Sequence, residues 1–160
     1  MPFPDPVPGL VIRYSYLWSS EQARGQEEGV KDRPCAVILV TEDDAGEQVV
    51  TVLPITHSPP ADLELAVEIP AAVKRRLRLD DDRSWVALAE PNRFIWPGPD
   101  PRPLTPGDPT SRAYGPLPYA RLEQISLKFL AARKARRART VCRLEWRRSE
   151  QSHHNQDDGG

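Results

Sequence analysis

Two apolar, β-branched runs lie close together in the chain, Cys35-Ala36-Val37-Ile38-Leu39-Val40 and Val49-Val50-Thr51-Val52-Leu53-Pro54-Ile55. Each has the length and composition of a buried strand. Between them, Glu42-Asp43-Asp44-Ala45-Gly46 carries the acids and the glycine of a turn. The chemistry sits at the ends. Arg33-Pro34 opens the first run, and Thr56-His57-Ser58 closes the second. If the strands lie side by side and antiparallel, the start of one meets the end of the other, and these residues share one sheet edge. A guanidinium beside hydroxyls and an imidazole suits a phosphodiester. The planar fork holds anionic oxygens, and the ring moves a proton near neutral pH.

The rest of the chain narrows the fold. Eighteen prolines in 160 residues exclude a helical bundle and favour short strands joined by rigid turns. Aromatic residues make up only 7%, so the core must be compact. Cys35 and Cys142 are far apart in sequence and have neither a disulfide framework nor zinc spacing. His153-His154 lacks neighbouring cysteine or carboxylate at ligand spacing, so no metal is assigned, and no cofactor. With no apolar stretch of membrane-spanning length and no signal-peptide pattern, the expectation is a cytoplasmic protein without a membrane partner.

Further segments follow from pattern. Residues 1–8 form an irregular, proline-rich arm. Leu10 to Tyr16 reads as a first strand and Trp18 to Asp32 as a long loop. Leu63, Leu65, Val67 and Ile69 alternate with Glu64 and Glu68 as in a half-buried strand. Pro70 to Leu77 fits a turn and a half of helix. Ser84 to Glu90 and Arg93 to Trp96 are further strands, and Pro97 to Pro118 is a loop. From Tyr119, Leu122, Ile125 and Phe129 sit at helical spacing behind Pro118. Five or six short strands, proline turns and a C-terminal helix describe a mainly β domain over 9–130, a small, strongly bent antiparallel barrel. A basic helical extension is expected over 131–150 and a disordered tail over 151–160.

Charge is unevenly spread. The net charge is -1, yet Lys128 to Arg148 holds nine Lys or Arg and one acid, Glu145. A positive arm on an acidic body can reach for nucleic acid or for an acidic partner.

In segment order the chain resembles the MazF/PemK toxins, the ribonuclease halves of bacterial toxin–antitoxin pairs. The resemblance rests on Leu10-Val11-Ile12-Arg13-Tyr14 after Gly9, Arg33-Pro34-Cys35-Ala36-Val37-Ile38-Leu39, Val52-Leu53-Pro54-Ile55-Thr56, Val67-Glu68-Ile69, Ser84-Trp85-Val86-Ala87-Leu88-Ala89-Glu90 and the terminal helix. It spans roughly residues 8 to 130. It implies an SH3-like, plug-shaped barrel, a homodimer, single-stranded RNA as substrate and an antitoxin that covers the RNA site. The implied reaction is metal-independent cleavage, in which a 2′-hydroxyl attacks its own phosphodiester and leaves a 2′,3′-cyclic phosphate. Arg33 and Thr56 match the residues on which the family relies.

Arg33 would hold the charge that builds on the non-bridging oxygens, and Thr56 would hydrogen-bond the phosphate or the attacking hydroxyl. His57, outside the family pattern, is a candidate acceptor for the 2′-hydroxyl proton. Expected RNA contacts are Ser58, Glu90, Asn92 and Arg93, together with the basic tract Arg133, Lys134, Arg136 and Arg137. Plainer roles stand beside these. Arg33 could pin a strand to Glu90 or Asp32, Thr56 could cap a turn, and Glu90 to Arg93 could be a polar corner. Trp85 is expected in the core and Trp96 at an edge or interface. Two other functions fit a barrel of this kind: nucleic-acid binding without cleavage, and poisoning of a protein target such as gyrase.

Overall fold

The computed structural model describes residues 4–17, 31–98, 101–104, 113–135, 137–138 and 140–142. The loop expected over 18–32 lies almost wholly outside these residues, as do the tail over 151–160 and Arg136.

The two apolar runs form the centre of the sheet. β1 is Leu10–Tyr16, β2 Lys31–Glu42 and β3 Gln48–Thr56. β2 and β3 pair antiparallel from Glu42–Gln48 to Cys35–Pro54, and β1 flanks β2. Local chemistry makes the hairpin. Asp43 Oδ1 accepts from the amides of Ala45 and Glu47, and Gly46 takes a φ of 81°, a left-handed conformation that favours glycine.

β4 is Ala66–Glu68, β5 Trp85–Ala87, β6 Asn92–Ile95, β7 Pro101–Arg102, β8 Gly115–Pro116 and β9 Val141–Cys142. The strand path runs β4-β5-β3-β2-β1-β7, with β8 on β1 and β6 on β3. The fold is mainly β, and among the described residues the path does not close on itself. β3 changes its outer partner along its length, pairing with β6 at Val49–Val52 and with β5 at Ile55 and Thr56. Pro54, with no N–H to donate, falls at that change.

Both faces of this central sheet are buried, which explains why its strands read as unbroken apolar runs. One face carries Val11, Ala36, Leu53, Ile55, Val67, Val86 and Leu88. Ile125 and Phe129 of the long helix, α2 (Tyr119–Lys134), pack on it. The other face carries Ile12, Tyr14, Tyr16, Cys35, Val37, Val50, Val52, Phe94 and Trp96. A bulge in β2 between Val37 and Leu39 adds one residue. It lets Val37 and Val40 both face the second cluster opposite Val52 and Val50.

Several sequence expectations shift. The alternating segment starts as a 3-10 turn, Leu63–Leu65, because Asp62 Oδ1 accepts from the amide of Glu64. Only Ala66–Glu68 is strand, and Leu63 is left exposed. The short helix, α1 (Ala71–Arg76), follows Pro70 as expected. Among the described residues the basic extension is helical only as far as Lys134. The chain then returns to the sheet as β9, parallel to β6. Trp96 is a core residue, packed against Phe94 at a ring separation of 6.1 Å, and not an edge residue. No helix among the described residues is long and apolar enough to cross a membrane.

Candidate functional site

The β2–β3 register brings the two expected ends together. The pairing ends at Cys35 and Pro54, and two residues further along each strand lie Arg33 and Thr56. Arg33 pairs with Tyr14 across β1, and Thr56 pairs with Trp85 across β5. Paired residues share a face, and residues two apart along a strand do too. Arg33 and Thr56 therefore lie on the face of Tyr14, Cys35, Val50 and Val52, one row past the last β2–β3 pair. Trp85 in turn pairs with Glu68 of β4. Two cross-strand rows thus flank the end of the β2–β3 pairing, Tyr14–Arg33 on one side and Thr56–Trp85–Glu68 on the other.

Each member is held locally. Arg33 is half-buried, and its guanidinium carbon lies 5.7 Å from the centre of the Tyr16 ring. Tyr16 is buried and its hydroxyl donates to the carbonyl oxygen of Glu90. Desolvation pushes that hydroxyl well above the ordinary tyrosine range. The nearby charges of Cys35 and Glu90 add to the shift and Arg33 opposes it. Tyr16 therefore stays neutral, and Glu90 and Arg33 flank the same ring. Thr56 Oγ1 accepts from the amide of Ser58 at 3.1 Å, capping the turn while its own hydrogen can still be donated. Ser58 is an exposed residue of that turn.

His57 does not join the pair. Alternation turns it away from Thr56, and its Nε2 meets Asp80 Oδ2 at 2.7 Å. Asp80 in turn accepts from Lys74 Nζ at 2.6 Å. Lys74 is only 4% exposed. Its ammonium also donates to the Asp82 carbonyl and to Ser84 Oγ, so all three protons are used. Desolvation raises the Asp80 carboxyl, but the hydrogen bonds from Lys74 and His57 outweigh it and hold the group below the usual carboxylate range. His57, Asp80 and Asp82 are the described residues grouped closely enough to hold a metal ion. All three are exposed, and the Lys74 ammonium already balances the charge there. The sequence reading saw only a turn in Asp80-Asp81-Asp82. A lysine that clamps such a turn from inside leaves no mark in periodicity.

The remaining expected contacts scatter. Asn92 is a correction. It is fully buried, its Oδ1 accepting from the Leu17 amide at 3.0 Å and its Nδ2 donating to the Leu17 carbonyl at 2.8 Å. It closes the chain against β6 and has no surface for RNA. Arg93 is exposed but pairs with Thr51, whose face of β3 is opposite that of Val50 and Val52. It does not share the Arg33 face. Arg133 and Lys134 are exposed on the last turn of α2, which packs on the other core cluster. Arg137 is tied to Asp62 and, at 3.1 Å, to Glu64, so part of the basic arm is neutralised by the body.

One neighbour was missed as a candidate. Arg83, just before β5, places its guanidinium carbon 5.1 Å from the centre of the Trp85 ring. Its Nε and Nη2 donate to the two oxygens of Glu68 at 2.9 and 2.8 Å. These bonds hold Glu68 below the usual carboxylate range. An open cleft of about 290 Å³ runs beside this pair, lined also by Ile69, Lys74, Arg75 and Asp80.

Comparison with family models, with curated proteins and with solved structures gives no match to this chain.

Proposed function

We propose that this chain is a metal-independent endoribonuclease of the MazF/PemK type, cutting single-stranded RNA as the toxin of a toxin–antitoxin pair. The observation that carries the reading is that Arg33 and Thr56 fall on one face, each two residues past the last β2–β3 pair. The bent sheet, with β3 divided between two outer partners, would be the plug-shaped SH3-like barrel of that family, acting as a homodimer.

In the proposed reaction a 2′-oxygen attacks the adjacent phosphorus, the bond to the 5′-oxygen breaks, and a 2′,3′-cyclic phosphate remains. The 2′-hydroxyl proton passes to solvent and the leaving 5′-oxygen takes one from solvent. Negative charge gathers on the non-bridging oxygens as the transition state forms. Arg33 is always protonated and offers a planar fork that binds this charge more tightly than the ground-state diester. Its guanidinium already lies over the Tyr16 ring, so little reorganisation is needed when charge develops. Thr56 donates its hydroxyl hydrogen to the same phosphate. His57, turned to the face opposite Thr56 and bonded to Asp80, takes no part in the chemistry. A cognate antitoxin would present an acidic, partly apolar segment to this face.

The test is incubation of the chain with mixed-sequence single-stranded RNA in excess chelator, followed by end-mapping. Cleavage leaving cyclic phosphate ends is expected. Arg33→Ala should reduce the rate by about a hundredfold or more, the scale for losing a transition-state donor. RNA that is bound but left intact would favour the non-catalytic binding function instead.

A further inference from the structure

Resting on that reading, the geometry points to a role for Arg83: we propose that it is a stacking platform for the RNA base next to the phosphate held by Arg33 and Thr56. Thr56 and Trp85 are cross-strand partners, so their backbones lie one strand spacing apart, roughly 5 Å. The Trp85 ring is 6% exposed, and the Arg83 guanidinium lies over it. The Arg83 side chain itself is 73% exposed, so the side of the guanidinium away from the indole faces solvent. Nucleobases stack on guanidinium planes as they do on aromatic rings.

Two features make this a stacking surface rather than a phosphate contact. Glu68 takes both Nε and Nη2, the two donors with which an arginine most readily grips a phosphate. Its carboxylate also cancels the charge, so the pair exerts little pull on a polyanion. The same two bonds fix the plane, which removes most of the rotamer entropy an exposed arginine would lose on binding. What remains is a flat, neutralised, pre-organised surface beside the reacting group, suited to any base and blind to sequence.

The test uses two probes that cannot be cut. One is a mixed-sequence octanucleotide RNA with 2′-O-methyl at every ribose. The other is an abasic octamer of the same phosphate charge. Binding is followed by fluorescence anisotropy at fixed salt, since phosphate contacts are salt-dependent. Arg83→Ala combined with Glu68→Ala, which removes the pair with no net change of charge, should weaken the first probe by about tenfold and leave the second unchanged, in keeping with the loss of one base stack. Arg83→Lys, which keeps charge but not the plane, should match the double alanine variant. Circular dichroism checks that both variants stay folded. If Arg83→Lys binds like the parent, or if both probes weaken equally, Arg83 is a charge contact and the platform is wrong. If the parent chain cuts RNA and the double alanine variant changes nothing, the platform falls while the nuclease reading stands. A parent chain that neither binds nor cuts removes both.

Discussion

Replacing Asn92 separates a structural amide from an RNA contact. Asn92 is fully buried and answers the amide and the carbonyl of Leu17, a residue itself only 1% exposed. Asn92→Ala removes both hydrogen bonds and strands both backbone groups away from water. An unsatisfied buried polar group costs about 1–3 kcal/mol, so the pair sums to about 2–6 kcal/mol. That is a large share of the 5–15 kcal/mol typical of whole domains. At about 2–4 °C per kcal/mol for a chain of this size, a loss near 3 kcal/mol lowers the melting temperature by about 10 °C.

Asn92→Asp sharpens the test. It keeps the acceptor for the Leu17 amide but turns a donor into an oxygen facing the Leu17 carbonyl. Burial raises the folded-state pKa of such a carboxyl above its unfolded value. The penalty is therefore small below the ordinary carboxylate range and grows as pH rises through it. Thermal and urea melts at about pH 4 and pH 8 read the difference, with the Asp variant closer to the parent at the lower pH. RNA affinity, measured well below each melting point, should stay unchanged for Asn92→Ala. A melting temperature within about 2 °C of the parent, combined with a tenfold loss of RNA binding, would refute the structural role.

Two further outcomes follow from the Lys74–Asp80–His57 chain. The Asp80 carboxyl is held below its usual range, so its stabilising effect is complete above the unfolded carboxylate range and is lost as pH falls through its folded pKa. Asp80→Asn should lower the melting temperature at pH 7, leaving the buried Lys74 ammonium without its counter-charge, and the gap to the parent should narrow as pH falls below the ordinary carboxylate range; a gap that does not change with pH would count against the clamp. His57→Gln, which can still donate to Asp80, should leave the RNA cleavage rate within about twofold from pH 6 to pH 9, whereas a loss beyond tenfold would return His57 to the reacting groups.

The residue pattern alone determined the local parts of this molecule. The runs around Val37 and Val52, the Asp43–Gly46 turn and the helix starts after Pro70 and Pro118 follow from side-chain branching, turn chemistry and proline geometry, all of which act over a few residues. The antiparallel pairing that puts Arg33 and Thr56 at one end of the sheet was also legible, because a short turn between two strands sets their register. Burial and facing were decided only in three dimensions. Asn92, Arg93 and His57 stand in polar stretches that look equally open in sequence, yet one closes on Leu17, one faces away and one is drawn to Asp80. The Arg83–Glu68 pair over Trp85 and the Lys74 clamp join segments that reach one another only once β4, β5 and α1 have packed. A polar side chain's fate depends on which distant donor or charge arrives beside it, and no local periodicity encodes that arrival.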